Sequence, residues 1–125
     1  MNINSVLSTP DVVIGLDFET YASTDLLKHG LDQYVNCPDF QVLLGVTATQ
    51  LSTLALDFVS NSNATEELRK MLEHKWIVAH NAGFERAVLK RIGIDLPADR
   101  FFDSAAMARA AGAAGKLEAA APQLS

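Results

Sequence analysis

The apolar positions of the chain fall into short runs separated by polar turns. Val12-Val13-Ile14-Gly15-Leu16 is β-branched and nearly continuous, and it ends at Asp17. A run without polar alternation suits a strand covered on both faces, as at the centre of an α/β sheet. Residues 40–49 and 54–59, rich in Val, Leu and Thr, predict two more strands, with Gln50-Leu51-Ser52 as a hairpin connection. Between the first run and these, Asp25-Leu26-Leu27 and Leu31-Asp32-Gln33-Tyr34 predict single helical turns, and Cys37-Pro38-Asp39 a tight turn.

Asn61-Ser62-Asn63 breaks the strand pattern, and periodicity then changes to that of a helix. Thr65 is placed to cap it, with Leu68, Met71 and Leu72 on one face. Glu66 with Lys70, and Arg69 with Glu73, stand four apart on the solvated side. Trp76-Ile77-Val78-Ala79 predicts a fourth strand that delivers His80-Asn81. A helix over 84–91 follows, with Ala87, Val88 and Ile92 as core positions and Gly93 as its stop. Phe101-Phe102 predicts a last short strand. Asp103 or Ser104 would then cap a helix running to Ala111, and another begins at Lys116. Ten of the seventeen residues from Ala105 to Ala121 are alanine, which favours helix but adds little core volume. Strands first and α/β alternation afterwards imply an α/β fold, a mixed sheet with helices on its faces. Residues 1–10 read as a flexible lead-in, and 11–125 as one domain.

Composition narrows the function classes. The 125 residues carry ten basic and fifteen acidic side chains, a formal charge of −5, which argues against a broadly basic nucleic-acid coat protein. It leaves room for an enzyme that meets nucleic acid through a metal-filled acidic cleft. Cys37 is the only cysteine, so no intrachain disulfide frames the fold. Residues 1–10 lack the basic region of a secretory signal, and no apolar run approaches the ~18 residues of a membrane span. The expectation is a soluble, cytoplasmic protein with no membrane partner.

The sharpest chemical feature is Asp17-Phe18-Glu19-Thr20 at a strand end. Residues i and i+2 of a strand share a face, so Asp17 and Glu19 point together and Phe18 points away. Two adjacent carboxylates repel unless something neutralises them, and hard oxygen ligands suit Mg²⁺ or Mn²⁺. Two acids facing water is the plainer alternative. The second feature is His80-Asn81-Ala82-Gly83-Phe84-Glu85-Arg86, running from a strand end into a helix. Ligands of open α/β sheets gather at strand ends, and a carboxylate in a first helical turn is favoured by the dipole. Taken singly, Asn81 is an ordinary turn residue, Glu85 an ordinary helix-start acid and His80 an ordinary packed histidine.

Together the two features resemble the first two motifs of the DEDD superfamily of 3′–5′ exonucleases. The likeness is nearest to the N-terminal proofreading domain of polymerase-I-type (family A) DNA polymerases of bacteriophages and prophages. The landmarks are Asp17-Phe18-Glu19-Thr20, then Asp25-Leu26-Leu27-Lys28-His29-Gly30 with Tyr34, a strand at Gln41-Val42-Leu43-Leu44, His80 to Arg86, Asp103-Ser104, and Leu117-Glu118-Ala119-Ala120-Ala121. They cover about residues 12–121. The resemblance implies an RNase-H-like sheet and hydrolysis of 3′-terminal phosphodiesters of single-stranded DNA, with two Mg²⁺ or Mn²⁺ ions in the complete domain. It makes Asp17, Glu19 and Glu85 catalytic metal ligands, and it assigns Phe18, Thr20, His80, Asn81 and Phe84 to substrate binding. Asp103 would be a helix cap. The partners it implies are a single-stranded DNA 3′ end and a polymerase module in the same polypeptide, in a bacterial or phage-infected cell.

One departure stands out. The superfamily's third motif places a Tyr or His four residues before a final metal-binding Asp. After Glu85 the sequence offers Asp95, Asp99, Asp103 and Glu118, none in that pattern. The expectation is therefore a C-terminally truncated copy that lacks the last helices, with turnover by the chain alone left as the discriminating observation. Two alternatives stand beside the exonuclease. One is a non-catalytic RNase-H-like fragment that binds metal or nucleic acid. The other is a haloacid-dehalogenase-type phosphatase with Asp17 as nucleophile, whose loop the first motif also resembles. That family usually has Asp where Glu19 stands and gives no reason for residues 80–86.

Overall fold

A computed structural model describes residues 13–49 and 51–105. Within them β1 (Val13–Tyr21), β2 (Gln41–Ala48), β3 (Thr53–Asp57), β4 (Trp76–Ala79) and β5 (Phe101–Asp103) form a sheet in the order β3-β2-β1-β4-β5. β1, β2 and β3 are antiparallel neighbours, while β4 and β5 run parallel to β1. Helices α1 (Leu26–Val35), α2 (Ala64–Leu72) and α3 (Ala82–Arg91) occupy the connections. This is the mixed sheet with flanking helices expected from the sequence, and it is compatible with an RNase-H-like fold.

β1 does not end at Asp17, nor is it covered on both faces throughout. It continues to Tyr21 because β2 goes on pairing with it, Asp17 opposite Val46, Phe18 opposite Gly45 and Glu19 opposite Leu44. Along this second half the strand alternates: Leu16 and Phe18 are buried while Asp17 and Glu19 are exposed. The register shifts between Glu19 and Thr20, a bulge that bends the strand just past the two acids.

The core lies on the face carrying Ile14, Leu16 and Phe18, where they meet Val42 and Leu56 of the sheet, Leu68 and Leu72 of α2, and Val88 and Leu89 of α3. Leu68, Leu72, Ile77, Val88 and Leu89 are fully buried, each stabilising the fold by about 1.5–3 kcal/mol. Gly45 is required by this packing. A Cβ there would lie 3.2 Å from the Phe18 ring and 3.0 Å from the Phe58 ring, which meet edge to face with centroids 6.2 Å apart.

The helices differ from expectation at their starts. The two helical turns expected over 25–34 are present as the two halves of α1, separated at Gly30, whose non-helical φ of 87° only glycine adopts readily. Asp25 caps it by accepting from the Leu27 and Lys28 amides. α2 begins at Ala64, with Asn63 rather than Thr65 in the cap position. Among the described residues its ion pair is Glu66 with Arg69, three apart, in place of the four-apart pairs expected, and Arg69 also reaches the Gly93 carbonyl. α3 begins at Ala82, two residues earlier than periodicity predicts. The lead-in over 1–10 and the helices expected beyond Ala105, with the Leu117 to Ala121 segment, lie outside the described residues. Among the described residues no helix is long and apolar enough to cross a membrane.

Candidate active site

The site is built where β4 stops short of β1. The β1–β4 ladder runs from Val13 opposite Trp76 to Gly15 opposite Val78, and β4 ends at Ala79. Phe18 therefore lies beyond the reach of β4, and its N–H points into the space the strand leaves. The chain turns there through His80 and Asn81 into α3, whose first turn carries Glu85. The Phe18 N–H donates to Glu85 Oε2 at 3.1 Å. One hydrogen bond thus joins the middle of the first motif to the acid of the second.

Glu85 is 3 % exposed. Burial pushes its carboxyl up to about 7, the charge of Asp17 pushes the same way, and the Phe18 N–H opposes both. Asp17 is thus near enough for its charge to be felt. Glu19 stands beside Asp17 on the same exposed face of β1. No Lys or Arg among the described residues pairs with any of the three carboxylates. The side chain of Phe18 lies in the core on the opposite face, 6 % exposed, so what it brings to the site is its backbone amide.

The other motif residues occupy distinct places around this centre. The Thr20 hydroxyl is hydrogen-bonded to the Tyr34 hydroxyl at 2.8 Å. The Tyr34 ring in turn packs against Phe40 and Phe84, centroids 5.7 and 6.3 Å away. Phe84 is therefore half-buried in an aromatic group that ties α1 to α3. His80 is exposed, its Nδ1 3.4 Å from the Ser104 hydroxyl. Asn81 is the N-cap residue of α3, but its side chain makes no capping bond. Its carbonyl accepts from the Phe84 and Glu85 amides. The α3 N-terminus is capped instead from another element: Asp103 Oδ2 accepts from the Ala82 N–H at 3.3 Å, while Oδ1 accepts from Ala105 N–H at 2.9 Å.

Sequence reasoning placed Asp103 as a cap for its own helix and missed that it also caps α3, since nothing local signals a partner 21 residues away. It also missed a knot behind the site. Asp39 accepts from the Ser23 N–H and the Cys37 thiol, and the Thr24 hydroxyl donates to Cys37 Sγ. These bonds hold the chain leaving β1 against the turn before β2.

The donor chemistry fits a hard divalent cation, because the exposed Asp17 and Glu19 of β1 and the buried Glu85 have no basic partner among the described residues. The geometry fits it in part. Glu85 has one oxygen on the Phe18 amide, and among the described residues no three His, Cys, Asp or Glu side chains converge as a ligand group. Asp17 and Glu19 are the pair exposed to face an ion.

No protein-family model matches the chain. It is 30% identical over 115 residues to a DNA polymerase of Bacillus phage SP02, an alignment covering 89% of this chain and 18% of that relative. The chain thus spans less than a fifth of the phage polymerase's length. The likeness supports a polymerase-related origin for this chain.

Proposed function

We propose that this chain carries the first two motifs of a metal-dependent 3′–5′ exonuclease domain of a phage-type DNA polymerase, acting on the 3′ ends of single-stranded DNA. The observation that supports it most is the Phe18–Glu85 hydrogen bond, which joins the acid of the second motif to the strand segment between Asp17 and Glu19. Likeness to a phage DNA polymerase along 89% of the chain supports the DNA substrate.

Asp17 and Glu19 would hold Mg²⁺ or Mn²⁺ at the exposed edge of the site, and Glu85 would complete the set from α3. A divalent ion there supplies positive charge to the phosphodiester and acidifies bound water. The chain's own residues set the geometry around it. The bulge after Glu19 and the Thr20–Tyr34 hydrogen bond fix where β1 bends away. The Phe18 amide holds Glu85 in place, and without a metal ion burial raises that carboxyl to about 7, a penalty a bound cation would relieve. His80 and Asn81, exposed where the chain turns into α3, would meet the substrate strand.

A second reading, a metal- or nucleic-acid-binding fragment without turnover, is favoured by one observation: three ligands do not converge among the described residues. The deciding experiment is degradation of a 5′-labelled single-stranded oligonucleotide with Mn²⁺, comparing the chain with Asp17→Asn. A ladder shortening from the 3′ end and abolished by the substitution supports the exonuclease. No ladder, with Mn²⁺ bound through Asp17, supports the second reading. Absence of both overturns the metal site.

A further inference from the structure

β4 and β5 stop at the same level, Ala79 opposite Asp103, and the residues that follow meet across the sheet. Val78 pairs with Gly15 on one side and with Phe102 on the other, so these three share a face. Two positions further along each segment stand Asp17, His80 and Ser104. Positions i and i+2 of a strand share a face, so these three extend the row just past the end of β4. The intervening residues turn the other way: Leu16 and Ala79 are buried, and Asp103 reaches back to the start of α3. One contact joins two members of the row, with His80 Nδ1 lying 3.4 Å from the Ser104 hydroxyl.

Asp17 and His80 are exposed and Ser104 is half-buried, so the hydroxyl is the anchored member and the ring the presented one. Among the described residues Nε2 of His80 has no partner. With the hydroxyl donating to Nδ1, a neutral ring carries its proton on Nε2. A charged ring, donating from Nδ1 to the hydroxyl, offers the same Nε2 donor. Such a donor suits an anionic phosphate oxygen.

We propose that Ser104 is a positioning residue for His80, fixing its ring so that the Nε2–H, in the row beside Asp17, donates to a phosphate oxygen of the substrate strand. This deepens the exonuclease reading and rests on it. A ring without the Ser104 bond would be ordered only when the strand arrives, at a cost in affinity. The bond orders it in the folded chain beforehand. A cation at Asp17 and Glu19 and the His80 donor then meet the same phosphodiester from adjacent segments of the sheet.

The test is fluorescence anisotropy of a 5′-labelled single-stranded oligonucleotide with the full chain, in Ca²⁺ and in Mn²⁺. His80→Ala, at an exposed position that leaves the fold in place, is expected to raise Kd about fivefold. Ser104→Ala is expected to raise it about threefold, and Ser104→Thr, which keeps the hydroxyl, to restore it. In the His80→Ala background Ser104→Ala should have no further effect, since Ser104 acts only through the ring. A merely structural role for Ser104 would weaken binding in both backgrounds, and that result overturns the proposal. So does binding indifferent to His80→Ala or to Ser104→Ala, which leaves the exonuclease reading standing. A wild-type chain that binds no oligonucleotide with either ion overturns that reading, and the role of Ser104 with it.

Discussion

The Phe18 amide and the Glu85 carboxylate, 67 residues apart in sequence, meet at 3.1 Å in the gap that β4 leaves beside β1. The bond places a buried acid against the backbone between two exposed ones. It accounts for the position of Glu85 and offsets part of the electrostatic cost of burying it.

That cost has a pH signature. In the folded chain the Glu85 carboxyl sits at about 7, above its ordinary 4.5, so between those values the folded state binds the extra proton. Its stabilising effect is fully present below about pH 4.5 and is lost as pH rises through 7, on the order of 3 kcal/mol in all. Asp39 and Asp57 are shifted down, by the Cys37 thiol and the Ser60 hydroxyl respectively, so their effects fall below that window. Thermal melts in EDTA should show stability declining from pH 4.5 to 7. In Glu85→Gln, whose amide oxygen still accepts from Phe18, that decline should vanish.

Metal binding should reverse the penalty. Adding Mn²⁺ at neutral pH to about 100 times its Kd is expected to raise stability by about 2.7 kcal/mol. Asp17→Asn should abolish the gain while leaving the metal-free melt within about 0.5 kcal/mol, because Asp17 is exposed. An equal gain in both proteins would place the ion elsewhere.

Asp103 separates a structural acid from a ligand. Asp103→Ala removes the acceptor for the Ala82 and Ala105 amides and should cost about 1–2 kcal/mol in a urea melt. Mn²⁺ titration of the same variant should give an unchanged stoichiometry.

Gly45→Ala tests the packing under the first motif. The new methyl would press on the Phe18 and Phe58 rings, which already abut and have little room to give. A loss of about 1–3 kcal/mol is expected. Phe58→Leu in the same chain should recover part of it, which a double-mutant cycle measures directly.

Tyr34 and Thr20 form a coupled pair. Tyr34→Phe and Thr20→Val each remove the hydroxyl bond and should each cost about 1 kcal/mol. The double variant should cost less than their sum, because the bond can be lost only once.

The elements legible in the sequence were those whose signal is local. The apolar runs at Ile14, Val42, Leu56 and Ile77 located the strands, and Leu68 with Leu72 located a buried helix face. Alternation around Phe18 correctly put Asp17 and Glu19 on one face. Where β1 ends was not legible, because Glu19 to Tyr21 stay in the strand only through pairing with β2. The two helical turns over 25–34 were legible as separate pieces, because Gly30 breaks the helix between them with a φ of 87°.

By itself, then, the sequence determined which residues carry charge and which face of each element they occupy, since periodicity and side-chain chemistry travel with the chain. The tertiary structure alone decided which of those residues meet. β4 ends before β1 does, and that difference in strand length opens the place where Glu85 reaches Phe18. Asp103 caps α3 because β5 lies beside β4. Such contacts depend on strand order and register, which are set by packing across the whole sheet and leave no mark on a local stretch of residues.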